Sequence, residues 1–312
     1  MIYTVTLNPA IDKILFLEEL HRSRTNRLTK TLETIGGKGT HVSIDLKLLG
    51  VQSSALGISL GENGRRLGKM LEGWGVEVLF LQYDKPGMEA RTNYQIVENS
   101  GHVCTMLTER GPLLPARLTD ELLSQMQGLV KPGDMLVLAG DANNVEDAAI
   151  YSKLTRAAKE LGAKVFLDAS GKYLREGLQS GPFLIKPNLE ELCFLAGREL
   201  KTEAEIVAAM QSLDGSGMPM IVMTWGGKGA IVKHEQDFYR VEPVMVQAVN
   251  EGGCGDAFLA AMIAGLAQDM DIRETCQRAA AVAGAAAESE ITAGFDPLRA
   301  EELKTQAVVV KI

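Results

Sequence analysis

The chain has few of the features that mark exported, membrane-bound or disulfide-stabilised proteins. Only four of its 312 residues are cysteines, and they stand far apart with no paired spacing. Neither a zinc site nor a disulfide framework follows from such spacing. No stretch approaches the about 18 consecutive apolar residues that a membrane helix needs, and the first residues lack a basic region followed by an apolar core. We therefore expect a cytoplasmic protein that binds no membrane.

Basic residues are also scarce as a group. The 32 lysines and arginines are outnumbered by 40 acids, which gives a net charge of −8, and no basic block occurs. This distribution argues against nucleic acid or an anionic membrane as the main partner, because such partners attract extended basic patches. Any anion site must be local. Hydrophobic residues make up 46% of the chain, which is ample for a buried core.

Segments that are typical of strands and of helices alternate along most of the chain. The predicted main strands are 2–7, 53–59, 76–82, 135–139, 164–168, 183–185 and 220–224, and the predicted helices are 63–74, 145–161, 189–196, 203–213, 258–268 and 275–287. This alternation predicts an α/β fold with a doubly wound, mainly parallel central sheet flanked by helices. No repeat or linker divides the chain, so we expect a single domain over residues 1–312.

Two segments, about 13–35 and 88–108, have an alternating pattern that predicts exposed strands outside the main sheet. The second contains two predicted strands, 90–98 and 103–108, around the turn Asn99-Ser100-Gly101. We predict that both segments form a small β flap or lid that excludes water from a cleft. An apolar face on such a flap would pair with a second subunit, so we expect a homodimer through the lid.

A glycine-rich turn, Gly252-Gly253-Cys254-Gly255-Asp256, precedes a predicted helix over 258–268. The preceding valine-rich run, 241–249, predicts a strand end. Backbone N–H groups at such a helix start are unpaired and lie at the positive end of the helix dipole, so phosphate is a natural ligand. Asp256 has two interpretations at this position, namely a helix cap or a base that takes a proton from a hydroxyl attacking a phosphoryl group.

Three further clusters have the same ambiguity. A second glycine cluster, Gly36-Gly37-Lys38-Gly39, precedes His41 and a helix, but it matches neither a P-loop nor a dinucleotide fingerprint. Asn188 and Glu191 have the spacing of a capping box at a predicted strand end. The segment 224–229 joins two strands through glycines that leave room for a nucleotide phosphate. Each cluster alone favours a structural role.

Together, these clusters resemble the ribokinase-like carbohydrate kinases, specifically the phosphofructokinase B branch that includes 1-phosphofructokinases and tagatose-6-phosphate kinases. The resemblance covers nearly the whole chain. The segments that carry it are TLNPAID at 6–12, GGKGTHVS at 36–43, KPNLEE at 186–191 and GGCGDAF at 252–258.

The resemblance implies ATP and Mg²⁺ as cofactors and a role for each motif residue. Asp256 would be the catalytic base, and the amides of Gly253, Cys254 and Gly255 would bind the transferred phosphoryl group. Asn188 and Glu191 would organise Mg²⁺ through water. The residues implied to bind the nucleotide are Lys186, Asn188, Thr224, Gly226 and Gly229. The residues implied to bind the sugar are Asp12, Gly37, Lys38, His41, Arg91 and Arg110.

The chain departs from the family pattern on the sugar side. His41 stands where the family usually has Asn, and Gly140-Asp141-Ala142-Asn143 stands where it usually has Gly-Ser-Leu-Pro. Thr108 and Arg110 replace a usual Asn and Pro. We expect ATP-dependent phosphorylation of a sugar phosphate, with fructose 1-phosphate, which would yield fructose 1,6-bisphosphate, ahead of tagatose 6-phosphate or another sugar. The hypothesis of a different class is a catalytically weak sugar- or nucleotide-binding regulator.

Overall fold

The computed structural model describes residues 1–100, 103–213 and 218–312 of the chain. Its main sheet has ten strands in the order β14-β13-β12-β11-β10-β9-β8-β1-β4-β5. These strands are β1 (Ile2–Thr6), β4 (Ser54–Leu60), β5 (Glu77–Tyr83), β8 (Met135–Ala139), β9 (Lys164–Asp168), β10 (Leu184–Ile185), β11 (Met220–Thr224), β12 (Ala230–His234), β13 (Asp237–Val241) and β14 (Val309–Lys311). The predicted mainly parallel sheet is confirmed, since β11 to β5 pair in parallel and only β12, β13 and β14 are antiparallel.

Helices cover both faces of this sheet. They are α1 (Lys38–Leu48), α2 (Gly61–Gly73), α3 (Ala116–Leu129), α4 (Ile150–Glu160), α5 (Gly171–Leu178), α6 (Leu189–Ala196), α7 (Glu203–Ser212), α8 (Cys254–Ala267), α9 (Ile272–Ala287) and α10 (Pro297–Lys304). Alternate residues of the central strands point to opposite faces of the sheet. Because successive residues of these strands are apolar, both faces are apolar and pack against helices. Leu136 and Leu138 pack in the core with α3 to α7, whereas Val137 packs with α1, α8, α9 and α10.

A second sheet has four strands in the order β3-β2-β6-β7. Its strands are β2 (Ala10–Leu17), β3 (Lys30–Gly36), β6 (Arg91–Glu98) and β7 (Val103–Thr108). A small β flap beside the main sheet was predicted, and this part of the fold is confirmed. Gly101 of the predicted turn lies outside the described residues. The flap strand β2 is more buried than its alternating pattern predicted, because six of its eight residues are buried.

Two predicted elements differ from the structure. The valine-rich run 241–249 was predicted to be a strand end, but β13 ends at Val241 and the following residues pair with no strand. High β-propensity does not produce a strand without a neighbouring edge to pair with. The predicted helix over 145–161 begins only at Ile150, since Asp147 caps a turn through the N–H of Ala149.

The parallel strands bring their carboxyl ends, and therefore the loops that follow, to one edge of the main sheet. Gly140 follows β8, Lys186 follows β10 and Thr224 ends β11. The second sheet adjoins the same edge, because only three residues separate the end of β1 from the start of β2. Within the part of the chain that the structure describes, no helix has the length and apolar character to cross a membrane.

Candidate active site

Helix α8 begins at a turn that only glycine fits. Gly253 has φ of 83°, in the left-handed region, and a Cβ there would lie 1.8 Å from the carbonyl oxygen of Thr292. The first N–H groups of a helix lack intrahelical acceptors and lie at the positive end of its dipole. Cys254, Gly255 and Asp256 form this first turn, and Asp256 is only 6% exposed. The arrangement combines an anion-binding turn with a buried acid.

The side chain of Asp256 is bonded to His41 on α1. The distance from His41 Nδ1 to Asp256 Oδ2 is 2.7 Å, and His41 Nε2 lies 2.9 Å from the carbonyl oxygen of Ile35. Burial lowers the pKa of His41, but the hydrogen bond to Asp256 and the charges of three nearby acids raise it to about 9. Both ring nitrogens of His41 are therefore engaged within the protein, and neither is left for a sugar hydroxyl.

Two further buried acids, Asp12 and Asp45, surround this pair. Asp12 accepts a hydrogen bond from Asn93 at 2.8 Å, and a Cβ on Gly36 would lie 2.0 Å from its carboxylate. Asp45 accepts a hydrogen bond from the N–H of Gly294 at 2.9 Å. Burial and the charge of Asp256 raise the pKa of Asp45 to about 7, against the opposing effect of His41. The sugar side of the site is thus rich in acids.

On the other side of α8, two lysines share one carboxylate that the sequence analysis missed. Lys38 Nζ lies 2.7 Å from Asp168 Oδ1, and Lys186 Nζ lies 3.0 Å from Asp168 Oδ2. Burial raises the pKa of Asp168, but the two lysines outweigh it and hold the pKa below its ordinary value. The signal that could have identified Asp168 is its place at the end of the predicted strand 164–168.

Lys186 is also next to the start of α8. A Cβ on Gly255 would lie 3.4 Å from Lys186 Nζ, so the ammonium group stands beside the unpaired N–H groups. Burial lowers the pKa of Lys38, but Asp168, Glu191 and Asp256 raise it above its ordinary value. Lys38 is therefore charged, and Lys186 forms an ion pair with Asp168, so both lysines add to the positive potential of the turn. Lys38, which was predicted to face the sugar, reaches towards the nucleotide motif.

Asn188 and Glu191 form the capping box that their spacing predicted. Asn188 accepts from the N–H of Glu191 at 2.8 Å, and Glu191 Oε2 accepts from the N–H of Asn188 at 2.9 Å. The other oxygen of Glu191 accepts from Ser170 at 2.6 Å. Among residues 1–100, 103–213 and 218–312, no group of three or more His, Cys, Asp or Glu side chains could hold a metal directly. The donor set fits a hydrated Mg²⁺ held through water on phosphates.

A cavity of about 460 Å³ extends from the start of α8 to helix α9. It brings together four residues predicted to bind the nucleotide and two of the α8 turn, namely Asn188, Thr224, Gly226, Gly229, Cys254 and Gly255. Its far wall is apolar and comes from Pro243 to Val246 and from Ala280, Ala283, Gly284 and Ala287. This wall was not predicted to be functional, although the small side chains of α9 suit a flat ring.

Cys254 is a thiol rather than a thiolate in this turn. Burial, together with the charges of Glu251 and Asp256, raises its pKa to about 12. The side chain therefore adds no negative charge beside the N–H groups. In this respect Cys254 is a neutral replacement for the small residue that is usual in the resembling family.

The arginines of the second sheet are less available than the sequence suggested. Arg91 donates to the carbonyl oxygens of Asn8 at 3.1 Å and Glu109 at 3.0 Å, and its Nη1 lies 3.6 Å from Asp141 Oδ2. Burial lowers the pKa of Arg91, although Asp141 opposes this effect. The exposed Arg110 donates to the carbonyl oxygen of Asn143 at 3.2 Å. An acid thus stands beside the arginine that was expected to bind a phosphate.

The site is linked to the second sheet by a pair of buried amides. Gln95 of β6 donates to Asn250 Oδ1 at 2.7 Å, and Asn250 donates back at 3.1 Å. Asn250 Oδ1 also accepts from the N–H of Gly252 at 2.8 Å, just before α8. Sequence reasoning missed this pair, because its two residues are separated by 155 positions.

Relatives of known name match the chain over its full length. Tagatose-6-phosphate kinase of Staphylococcus epidermidis is 29% identical to it, with 100% of both chains covered. A possible 1-phosphofructokinase of Thermotoga maritima has a structure with a TM-score of 0.87 and 25% identity, covering 100% of this chain and 99% of that one.

Phosphofructokinase-2 of Escherichia coli, solved in complex with substrates and products, has the same fold. The TM-score is 0.91 at 24% identity, with 98% of each chain covered. The family model for pfkB family carbohydrate kinases matches residues 5–297, and it includes the glycine turn at Gly253, the acid at Asp256 and the strand-end motifs around the cavity. The chain therefore belongs to the pfkB family of carbohydrate kinases.

Proposed function

We propose that this protein transfers the γ-phosphoryl group of ATP to a hydroxyl group of a phosphorylated ketohexose. The observation that carries this proposal is the position of the first turn of α8. It contributes Cys254 and Gly255 to the nucleotide-sized cavity, and its Asp256 bonds to His41, on which the charge of Asp12 in the second sheet also acts. A nucleotide phosphate and an acceptor hydroxyl would thus meet at one helix start.

The reaction at this turn is a direct phosphoryl transfer. Asp256 takes the proton from the acceptor hydroxyl, whose oxygen forms a bond to the γ-phosphorus of ATP. The bond from that phosphorus to the β,γ-bridging oxygen breaks, and ADP leaves with the electron pair. The N–H groups of the turn and the Lys186 ammonium offset the charge on the transferred group.

The cavity supports ATP as the phosphoryl donor. Its apolar wall suits the adenine ring, and its opposite end is the anion-binding turn, as a nucleotide requires. Asn188 and Glu191 would hold Mg²⁺ through water. When bound, the ion would neutralise part of the charge of the ATP phosphates.

The choice of acceptor rests on the relatives. The sequence resemblance favours fructose 1-phosphate, and the similar structure from Thermotoga maritima, a possible 1-phosphofructokinase, supports this choice. Tagatose 6-phosphate is the second candidate, because the Staphylococcus epidermidis relative is named a tagatose-6-phosphate kinase. Both are phosphorylated ketohexoses, and the cations proposed to bind their phosphate are Arg91, which begins β6, and Arg110, which follows β7.

A panel of acceptors tests this function. ADP release should be measured with fructose 1-phosphate, tagatose 6-phosphate, fructose 6-phosphate and the corresponding free ketohexoses, using wild type and Arg91→Ala. We expect phosphorylated acceptors to have the higher kcat/KM and to lose more of it in Arg91→Ala. A higher kcat/KM for free sugars, or an equal loss for both kinds, would reject recognition of a phosphate.

We further propose that the second sheet acts as a lid and as the interface of a homodimer. Three side chains of its outer strand β7, Val103, Met106 and Leu107, are apolar and 43–52% exposed. An exposed apolar edge strand favours pairing with another chain. Light scattering at micromolar concentration should show a dimer for wild type and a monomer for Leu107→Glu, whereas a monomeric wild type would exclude the interface.

A further inference from the structure

His41 is hydrogen-bonded to Asp256 and can therefore orient its carboxylate. It lies in the first turn of α1 and is 6% exposed, and both ring nitrogens have partners within the protein. The backbone carbonyl of Ile35 can only accept a hydrogen bond, so His41 Nε2 must carry a proton. At 2.7 Å, Nδ1 then shares a second proton with the carboxylate of Asp256.

This proton count leaves two states for the pair. In one, both ring nitrogens are protonated and the imidazolium faces a carboxylate. In the other, the ring is neutral and Asp256 carries the proton. The charges around the pair favour the first state, since Asp12 of β2, Asp45 of α1 and Asp256 of α8 all act on His41 and all raise its pKa, which reaches about 9.

We propose that His41 is a positioning residue that holds Asp256 as an oriented carboxylate through the Nδ1–Oδ2 hydrogen bond. This inference rests on the proposed function, in which Asp256 is the base. One oxygen of Asp256 is fixed on the imidazolium, and the other oxygen is left to accept the hydroxyl proton. The His41 cation also offsets part of the negative charge of Asp256 and of the neighbouring buried acids Asp12 and Asp45.

The usual residue at this position in the resembling family is Asn, which brings hydrogen bonds but no charge. An amide in place of His41 would remove the imidazolium that acts on Asp12, Asp45 and Asp256. The other cations that act on these acids, Lys38 and Arg91, already pair with Asp168 at 2.7 Å and with Asp141 at 3.6 Å. A cation on the base has a cost, since it weakens the attraction of the carboxylate for the hydroxyl proton. We therefore expect replacement of His41 by Asn to change the pH profile of kcat as well as its value.

The first test observes His41 without any acceptor. Nitrogen chemical shifts of the histidine rings would be followed from pH 5 to pH 10 in wild type and in Asp256→Asn, with His41→Asn and His234→Asn as assignment controls. We expect the His41 signal of wild type to report two N–H groups at pH 7 and to titrate near pH 9. We also expect its midpoint to fall in Asp256→Asn. A neutral His41 ring at pH 7 in wild type would overturn the proposal.

The second test measures pH profiles of kcat with the acceptor that the panel identifies. His41→Ala should lower kcat by about 10- to 100-fold, as a misplaced catalytic group does, while KM for ATP stays within about twofold. His41→Asn should recover part of kcat, with its acid limb about one pH unit higher and its alkaline limb lost. His234→Asn should match wild type.

The two tests separate the possible failures. If the pH profiles of kcat are unchanged in both His41 variants, the positioning role is rejected. An ion pair detected by the chemical shifts would then have only a structural role. Absence of turnover by wild type with every acceptor would reject the proposed function and with it the role of His41. The chemical shifts would still show whether the ion pair exists.

Discussion

The two sides of helix α8 balance charge in different ways. On the proposed nucleotide side, the buried acids Asp168 and Glu191 face two lysines: Lys38 Nζ lies 2.7 Å from Asp168 and 4.0 Å from Glu191, and Lys186 Nζ lies 3.0 Å from Asp168. On the proposed acceptor side, the three buried acids Asp12, Asp45 and Asp256 act on His41, and Asp12 also acts on the buried Arg91. The two lysines suit the phosphates of ATP, the proposed donor. The acid-rich side suits a neutral hydroxyl that must lose a proton.

This comparison locates the part of the site that is specific to this chain. The residues Asn188, Thr224, Gly226 and Gly229, which were predicted to bind the nucleotide, line one cavity. His41, Asp141 and Arg110, which depart from the family pattern, belong to the proposed acceptor side. The residues proposed to bind ATP and the residues proposed to select the acceptor therefore lie on either side of the first turn of α8. Substitutions on the two sides should therefore affect different kinetic constants.

The largest expected effect comes from the residue between the two sides. Asp256→Asn keeps the shape of the side chain and its hydrogen-bonding to His41 but removes the base, so kcat should fall by about 10² to 10⁴. Asp271→Asn is the matched control, because Asp271 caps α9 through the N–H groups of Arg273 and Glu274. That control should keep kcat and nearly all of the unfolding free energy, because Asn caps a helix about as well as Asp. Near-normal kcat in Asp256→Asn would reject the assignment of the base.

The second prediction concerns pH, to which only the acceptor side should respond near neutrality. The pKa of His41 is raised to about 9 in the folded state, so its contribution to stability is complete below its unfolded value of 6.5 and is lost as pH rises through 9. This loss is on the order of 3 kcal/mol. Urea unfolding of wild type and His41→Asn should be measured at several pH values. The difference between their free energies of unfolding should become smaller as the pH rises through 9.

Asp45 extends the same dependence to lower pH. Its pKa rises from 3.8 to about 7 on folding, so the folded state is disfavoured progressively as pH increases across that interval. Asp45→Asn should remove this slope and keep the hydrogen bond from Gly294. A difference between wild type and His41→Asn that does not change between pH 6 and pH 10 would contradict the charged pair.

The nucleotide side was predictable where its signals are local. The spacing of Asn188 and Glu191 predicts a capping box. Gly226 and Gly229 lie between two strands, where glycines predict a turn. Parallel strand topology then brings these loops to one edge. The apolar wall was less predictable, since alanines on a helix usually pack in a core and nothing in 241–249 distinguishes a cavity wall from a strand.

The acceptor side was harder to predict because its contacts join distant positions. His41 and Asp256 are 215 residues apart, and no local pattern indicates that they share a proton. Lys38 was assigned to the sugar by resemblance, yet its partner Asp168 is 130 residues away. The acid beside Arg91 is the same kind of case, since Asp141 follows β8 and Arg91 begins β6. Charge pairs of this kind follow from the fold and not from the motif.

A third prediction tests the assignment of the apolar wall to the nucleotide. Ala283 lines the cavity on α9, and a leucine there should fill part of the space for the ring. Overpacking of this size costs about 1–3 kcal/mol, so KM for ATP should rise about 10-fold. KM for the acceptor should not change.

Ala267→Leu makes the same substitution at an exposed position at the end of α8 and serves as the control. Steady-state kinetics with each substrate varied in turn separates the two KM values. An equal rise in both, or a rise in the control, would show that the wall does not hold the nucleotide.

The smallest effect is expected at Asp141, which stands where the resembling family usually has Ser. Its Oδ2 lies 3.6 Å from Arg91, and its Oδ1 accepts from the N–H of Asn143 at 2.7 Å. Asp141→Ser removes the charge and keeps a hydroxyl for the turn. One charge less near a dianion is worth about 1 kcal/mol at a partly exposed position, so KM for a phosphorylated acceptor should fall about fivefold.

The matched control is Asp147→Ser, since Asp147 caps an equivalent turn through the N–H of Ala149 at 2.9 Å and pairs with Lys153 instead of Arg91. KM for free ketohexoses and for ATP should stay constant in both variants. If Asp141→Ser lowers KM for free and phosphorylated sugars alike, the acid acts on the shape of the pocket. If it changes neither, Arg91 does not meet the acceptor phosphate, and the acid-rich side of α8 selects its sugar through hydroxyl groups alone.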